Sequence, residues 1–94
     1  MITIFLPDEL DESFWELIPK HRTFINEQIE KDVIISYAIN QQRNTGWVIV
    51  NADSEYKARK IVEQFPIHSH ITFDVDELFI YDSSLAGLPK LVMN

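Results

Sequence analysis

The order of strand and helix patterns along this chain predicts an α+β fold of the ferredoxin-like type, with the element order βαββαβ. Four short runs of β-branched and aromatic residues alternate with two stretches whose apolar residues recur at three- and four-residue steps. A short polar segment between the second and third runs indicates an antiparallel hairpin. Right-handed crossovers then place both helices on one face of a four-stranded antiparallel sheet.

The first half of the chain supplies a strand, a long helix and a second strand. MITIFL, closed by Pro7, predicts a strand over residues 2–6. Pro19 lies inside the helix pattern that follows, and its missing N–H predicts a kink, or a short helix followed by a longer one over residues 19–31. VIISYAIN predicts the second strand over residues 33–40. The apolar stripe of the helix consists of Leu10, Phe14, Leu17, Ile18, His21, Ile25 and Ile29.

The second half opens with the hairpin and a shorter helix. QQRNT turns the chain, and GWVIVNA predicts a third strand over residues 46–52. Asp53 or Ser54 can accept hydrogen bonds from the free N–H groups at the start of the following helix. Pro66 ends that helix.

The fourth strand is predicted within ITFDVDELFIYD, residues 71–82. Its apolar alternation slips at Asp76 and Glu77, which indicates a β-bulge. We therefore predict one domain over residues 1–82, followed by a tail over residues 83–94 that still carries large apolar residues.

The strand runs look apolar on both faces, whereas two helices cover only one face of such a sheet. A partner must cover the second face, and a second copy of the chain, packed sheet to sheet, meets that need. The apolar tail could reach across to this partner. The sequence therefore predicts a homodimer.

Composition excludes several classes of function. The formal net charge of −7 disfavours nucleic acid and anionic membrane surfaces as partners. The absence of cysteine removes thiolate catalysis and thiolate metal sites, and it favours a cytoplasmic location. No apolar run approaches the roughly 20 residues of a membrane span, and MITIFLPDELDE lacks the basic start of a signal peptide. With only two glycines, a Gly-rich phosphate loop is not expected.

The segment GWVIVNADSEYKARKIVEQFPIHSHITFDVDEL resembles the second half of muconolactone isomerase and its relatives in the dimeric α+β barrel superfamily, which includes YCII-related proteins. The shared pattern is an aromatic residue near the strand start, NADS opening the helix, FP ending it, and a final strand. The first half is similar only in its strand–helix–strand order. The resemblance implies a dimer. It also implies an isomerase that moves a proton next to a lactone carbonyl without metal or organic cofactor.

Three residues of the long helix could act on a ligand. His21 lies on the apolar stripe, so we expect it to face the sheet, where it could act as a base near neutral pH. The alternative is a partly buried histidine with one hydrogen bond to the backbone or to Tyr37. Arg22 and Asn26 lie one turn apart and could bind a carboxylate or carbonyl oxygen. They could equally form a solvated helix edge that pairs with Glu30.

Tyr37 lies in the middle of a strand among aliphatic residues. Its hydroxyl needs a partner if it is buried, and that partner is either a ligand or His21. We assign His21, Tyr37 and Arg22 to the candidate catalytic group, with His21 as base and Tyr37 or Arg22 stabilising a developing oxyanion. Asn26 belongs to the candidate substrate-binding group.

The HSH segment is the most visible candidate for a metal site. His68 and His70 would point the same way in an extended segment, and two imidazoles on one side could bind zinc. A site needs further ligands, which the sequence does not locate, so we expect no metal here and place both histidines in the candidate substrate-binding group. Trp47 is placed there too, with a core or interface anchor as its alternative.

Two hypotheses remain open from the sequence. The first is a small cofactor-independent isomerase or lyase that acts on a small organic acid or lactone, and it requires a cavity beside His21. The second is a non-catalytic dimer that binds a ligand or forms part of an assembly, and it requires a filled interior with His21 hydrogen-bonded to protein. Fold alone does not separate them.

Overall fold

The computed structural model of the protein describes residues 1–82, so the tail and its predicted docking on a partner lie outside the described residues. The structure has the predicted βαββαβ order and confirms the ferredoxin-like fold. Its strands are β1 (Ile2–Phe5), β2 (Ile34–Ile39), β3 (Thr45–Val50) and β4 (Thr72–Val75). Its helices are α1 (Glu12–Glu30) and α2 (Glu55–Glu63), and a 3₁₀ turn covers His68–His70.

The four strands form one antiparallel sheet in the order β2-β3-β1-β4, with β1 and β3 in the centre. Ile2 of β1 pairs with Val48 of β3 and with Val75 of β4. Side chains alternate between the two faces of a strand, so Ile2, Ile4 and Val48 lie on one face, where they join the core. The buried apolar core consists of Ile2, Ile4, Phe14, Ile25, Ile34, Val48, Ala58, Val62, Phe65 and Ile67. Since both helices contribute to it, both pack on the same face of the sheet.

Helix α1 begins where the sequence allows a cap that satisfies its free N–H groups. The carboxylate of Asp11 accepts a hydrogen bond from the Phe14 backbone at 3.0 Å. The helix then continues through Pro19 to Glu30, so the predicted alternative of two helices is wrong. One proline removes one backbone hydrogen bond. The burial of Phe14 and Ile25, one on each side of it, holds the helix together as one element.

Helix α2 confirms the predicted cap. The Ser54 hydroxyl accepts a hydrogen bond from the Lys57 backbone at 3.2 Å. Strand β4, in contrast, ends at Val75, so the predicted strand over residues 71–82 and its bulge at Asp76–Glu77 are wrong. Phe79 beyond it is 98% exposed. The apolar residues after Val75 imitate strand alternation in sequence, but β1 begins at Ile2, opposite Val75. Beyond that pair only Met1 remains, and its backbone bonds to Asp76, so the later residues have no strand to pair with.

An irregularity does occur in the sheet, in β2 rather than β4. The pairing of β2 with β3 shifts register between Ile34 and Ser36, which leaves Ile35 as an extra residue. Beyond this shift, Tyr37 pairs with Val48 and therefore faces the helices. The register shift thus directs the tyrosine hydroxyl toward α1.

The sheet face opposite the helices carries large apolar side chains. Phe5 and Trp47 lie there, 42% and 38% exposed, with Ile49 half-buried beside them. The outer side of β4 is polar, with Thr72 and Asp74 exposed. The face therefore has an apolar patch of Phe5, Trp47 and Ile49 on its central strands, interrupted by Thr3 and Thr45, and is polar along the β4 edge. Among residues 1–82, no helix is both long and apolar enough to cross a membrane.

Candidate functional site

A cavity of about 200 Å³ opens between the N-terminal half of α1, β2 and the β2–β3 turn. Most of its lining side chains are apolar or aromatic. The complete lining is Leu6, Leu10, Phe14, Trp15, Ile18, His21, Arg22, Tyr37, Ile39, Arg43 and Ile67. An apolar pocket with a few polar groups is the usual form of a small-molecule site.

His21 and Tyr37 form a hydrogen-bonded pair in the wall of this cavity. His21 Nε2 lies 2.7 Å from the Tyr37 hydroxyl, and His21 is only 2% exposed. The helix stripe aims His21 at the sheet, and the register of β2 aims Tyr37 at the helix. Phe65 packs edge-on against the imidazole with ring centroids 5.4 Å apart, which fixes the ring from the side of α2.

Both members of the pair are uncharged at neutral pH. Burial, together with the nearby charge of Arg22, lowers the pKa of His21 to about 4. Burial raises the pKa of Tyr37 to about 12, against a smaller opposite effect of Arg22. The site therefore offers a neutral imidazole and a phenol, one able to accept a proton and the other to donate a hydrogen bond.

The second nitrogen of His21 has no partner among residues 1–82. Nδ1 is buried and makes no hydrogen bond there. A neutral imidazole carries one proton. That proton is on Nδ1 if the Tyr37 hydroxyl donates to Nε2, and on Nε2 if the hydroxyl accepts. In both cases a buried polar atom is left unsatisfied, which is uncommon in proteins and directs attention to a ligand.

Two arginines contribute the positive charge of the cavity. Arg22 follows His21 on α1, and Arg43 comes from the β2–β3 turn. The Arg43 guanidinium carbon lies 5.9 Å from the centre of the Trp15 ring. Within the described part of the chain neither arginine forms an ion pair. Arg22 and Asn26 are both exposed, as the alternative of a solvated helix edge expects, but Arg22 does not pair with Glu30.

Sequence reasoning did not identify Arg43 or Trp15 as site residues. Arg43 lies in a polar turn, where a charged residue usually needs no explanation. Only the folded arrangement brings this turn to the start of α1. The predicted hairpin could have indicated Arg43, because the turn of a hairpin lies at one end of the sheet, beside a helix terminus.

The remaining candidate residues do not join this cavity. Asn26 is exposed one turn further along α1, and Trp47 lies on the opposite face of the sheet. His68 is exposed, while the ring of His70 packs edge-on against Phe14 at 5.6 Å. The two histidines sit in a 3₁₀ turn, so the expectation of an extended segment that points both rings one way is wrong.

A larger cavity of about 340 Å³ lies at another place, between the start of α2, β1 and the residues after β4. Its charged lining is acidic and includes Asp53, Glu55, Asp76 and Glu77. It contains no buried titratable pair. We therefore take the smaller cavity as the candidate site. In the portion that the structure describes, no group of three or more His, Cys, Asp or Glu is arranged to hold a metal ion.

No protein-family model matches the chain, and no curated protein matches it either. The resemblance to muconolactone isomerase therefore remains an expectation based on the strand, cap and helix-stop pattern. The function has to be argued from the site.

Proposed function

We propose that this cavity binds a small organic acid or lactone and that the chain is a cofactor-independent isomerase or lyase. The observation that supports this proposal is the hydrogen-bonded pair of the buried His21 and the half-buried Tyr37, in the wall of a mostly apolar cavity that also carries Arg22. A neutral base, a hydrogen-bond donor and a cation around one apolar space are the groups that proton transfer next to a carbonyl requires.

In the proposed reaction Nε2–H of His21 donates to the Tyr37 oxygen, and Nδ1 accepts the proton from the carbon next to the substrate carbonyl. The Tyr37 O–H is then free to donate to the substrate. The electron pair of that C–H bond moves to the carbonyl oxygen and forms an enolate. The Tyr37 hydroxyl or the Arg22 guanidinium stabilises this oxygen. His21 then returns the proton to a different carbon, so that atoms and charge balance over the cycle.

The low pKa of His21 sets a condition on this mechanism. A conjugate acid with a pKa of about 4 belongs to a weak base. The enolate oxygen that forms beside the imidazole brings a negative charge close to it and raises its pKa. The reacting substrate thereby strengthens the base that acts on it.

Deuterium exchange tests the proposal without requiring the natural reaction. Small lactones, including muconolactone, are incubated with the protein in heavy water, and NMR detects loss of the C–H signal next to the carbonyl. We expect exchange that falls about a hundredfold or more in His21→Ala, the usual contribution of a general base. Lys20→Ala is the matched control, since Lys20 precedes His21 but lies outside the cavity lining. An unchanged exchange rate in His21→Ala would end the proposal.

A second candidate function, a non-catalytic ligand-binding protein, is supported by one specific contact. Nε2 of His21 is already hydrogen-bonded to Tyr37, the arrangement expected of a structural histidine. Binding of the same lactones, seen by NMR shifts of cavity residues without any deuterium exchange, would favour this second function.

We further propose that the chain acts as a homodimer through the outer sheet face. The support is the apolar character of Phe5, Trp47 and Ile49 on a face that neither helix covers. An isologous dimer would place the central strands of two copies face to face.

Replacing the largest side chain of this face tests the dimer. We expect Trp47→Glu to convert a dimer into a monomer at micromolar concentration in sedimentation velocity, because it places a charge in an apolar interface. Tyr56→Glu is the matched control, since Tyr56 is exposed on α2, away from this face. A wild-type chain that sediments as a monomer at that concentration contradicts the proposal.

A further inference from the structure

We infer that Arg43 is the carboxylate-binding residue of the cavity beside His21, and that the cavity selects small monocarboxylates with a flat apolar body. This inference deepens the proposed function and rests on it, because it takes that cavity as the ligand site. It assigns a role to a residue of the hairpin turn and names the chemical class of the ligand.

The charge distribution supports an anionic ligand. The chain carries a net charge of −7, so an unspecialised surface repels anions. Three cations of α2, namely Lys57, Arg59 and Lys60, are paired with carboxylates of the same helix region. Four cationic side chains form no ion pair within residues 1–82, and of these Arg22 and Arg43 line the cavity whereas Lys20 and Lys31 do not. The positive charges of Arg22 and Arg43 remain available to a ligand carboxylate.

The backbone of the turn holds Arg43 in an unfavourable conformation. Its φ is 62°, in the left-handed region that favours glycine or asparagine over a long side chain. The Arg43 N–H donates to the Asn40 carbonyl at 3.0 Å, and the Asn40 side chain accepts from the backbones of Asn44 and Thr45, both at 3.1 Å. This turn therefore presents Arg43 on a fixed support.

Trp15 adds an aromatic face at the same end of the cavity. Its ring is 45% exposed and lies beneath the Arg43 guanidinium. Phe14 packs edge-on against it at 5.4 Å, which restricts its orientation. A flat apolar group can pack against the edge of the Trp15 ring while its carboxylate reaches Arg43, which lies over the face of that ring.

Arg22 and Arg43 serve different ends of the cavity. Arg22 is close enough to affect the pKa of both His21 and Tyr37, whereas Arg43 affects neither. A carboxylate on Arg43 is therefore held away from the proton-transfer pair, and the body of the ligand extends toward it. The walls between carry no further cation. Arg22 is assigned to the developing oxyanion, which leaves Arg43 as the cation for one carboxylate, and a volume of about 200 Å³ limits the ligand to roughly one ring.

Phenylacetate and phenylacetamide are the probes that test this inference, because they share a shape and differ in charge. Binding is followed by two-dimensional ¹H–¹⁵N NMR titration of the full chain. We expect phenylacetate to shift cavity residues and its Kd to rise about tenfold or more in Arg43→Gln, the loss of one charge-assisted pair. Phenylacetamide affinity should stay unchanged, and Arg43→Lys should retain part of the phenylacetate affinity.

Two further variants separate ligand binding from folding and from general charge. Arg43→Gly relieves the positive φ, so it should fold at least as well as the wild type yet lose phenylacetate affinity to the same extent. Arg59→Gln removes a half-buried arginine that also lies over an aromatic ring, that of Phe73, but outside the cavity and paired with Glu55. It should bind phenylacetate as the wild type does.

Each contrary result has a distinct meaning. Wild-type affinity for phenylacetate in Arg43→Gln overturns the role of Arg43 while the cavity remains a ligand site. An equal loss of affinity in Arg59→Gln overturns it as well, because the effect is then one of net charge. If neither probe shifts cavity residues at millimolar concentration, both this inference and the proposed ligand site fail.

Discussion

His21 is a titratable side chain in a place that penalises its charged form. Tyr37 from β2, Phe65 and the neighbouring Arg22 surround the imidazole, and none of them carries a negative charge. Protonation therefore has no compensating partner in the folded protein. At the scale of single residues, the titration of His21 therefore makes the free energy of unfolding depend on pH.

Acid should destabilise the folded protein through His21. The folded protein keeps His21 neutral down to about pH 4, whereas the unfolded chain protonates it near pH 6.5. Between these values the unfolded state binds more protons, so the free energy of unfolding falls as the pH falls from 6.5 to 4. Above pH 6.5 His21 contributes no slope. We expect the free energy of unfolding to fall by about 2 kcal/mol over this range. The full pKa difference of His21 would give a larger fall, but the cavity opens to solvent and reduces the cost of charging the imidazole.

Urea denaturation at several pH values measures this effect, and a double variant isolates it. His21→Leu combined with Tyr37→Phe replaces both hydrogen-bonding partners by apolar groups, which is tolerated far better than removing one. Its stability should vary less between pH 6.5 and 4 than that of the wild type, by the amount due to His21. Parallel profiles of the two proteins would show that carboxylates alone cause the acid sensitivity.

At the scale of helices and strands, periodicity was sufficient to predict the order of the elements. The apolar stripe of α1 correctly predicted that His21 faces the sheet. Ser54 and Pro66 correctly predicted where α2 begins and ends, because caps and stops are local signals. The end of β4 was not predictable from local pattern, since Leu78 and Ile80 continue the alternation while the length of β1 limits the pairing. Arg43 was not assigned to the site from the sequence for a related reason, because its contact with the Trp15 ring forms only in the folded chain.

The contact between β2 and β3 depends on a glycine. A Cβ at Gly46 would lie 2.5 Å from Ile39 Cδ1 and 3.2 Å from the Ala38 carbonyl oxygen. We expect Gly46→Ala to lower the free energy of unfolding by at most about 1 kcal/mol, because Ile39 Cδ1 is the end of a flexible, partly exposed side chain that can move aside. Ile39 also lines the cavity, so its displacement should alter ligand binding.

A double variant checks that prediction by chemical denaturation. Ile39→Val removes the clashing methyl group, so Gly46→Ala should be less destabilising in that background than in the wild type. Equal effects of Gly46→Ala in both backgrounds would place the strain at the Ala38 carbonyl instead.

At the scale of the whole molecule, charge opposes the proposed dimer. Each copy carries a net charge of −7, so two copies repel one another. The Debye length falls from about 30 Å at 0.01 M salt to about 8 Å at 0.15 M. We therefore expect the dimer dissociation constant, measured by sedimentation equilibrium, to fall as salt rises over this range. A dissociation constant that rises with salt would indicate an interface held by opposite charges rather than by Phe5 and Trp47.

The central position of β1 also determines how the chain reaches its fold. Ile2 lies almost at the start of the described chain, yet one of its two partners, Val75, lies almost at its end. Such long-range pairing has to close a large loop before it gains any contact, so refolding should take milliseconds or longer rather than microseconds. Until β4 arrives, β1 presents an unpaired edge that can recruit a strand from another molecule. Aggregation during refolding should therefore increase with protein concentration and decrease in any variant that speeds the docking of β4.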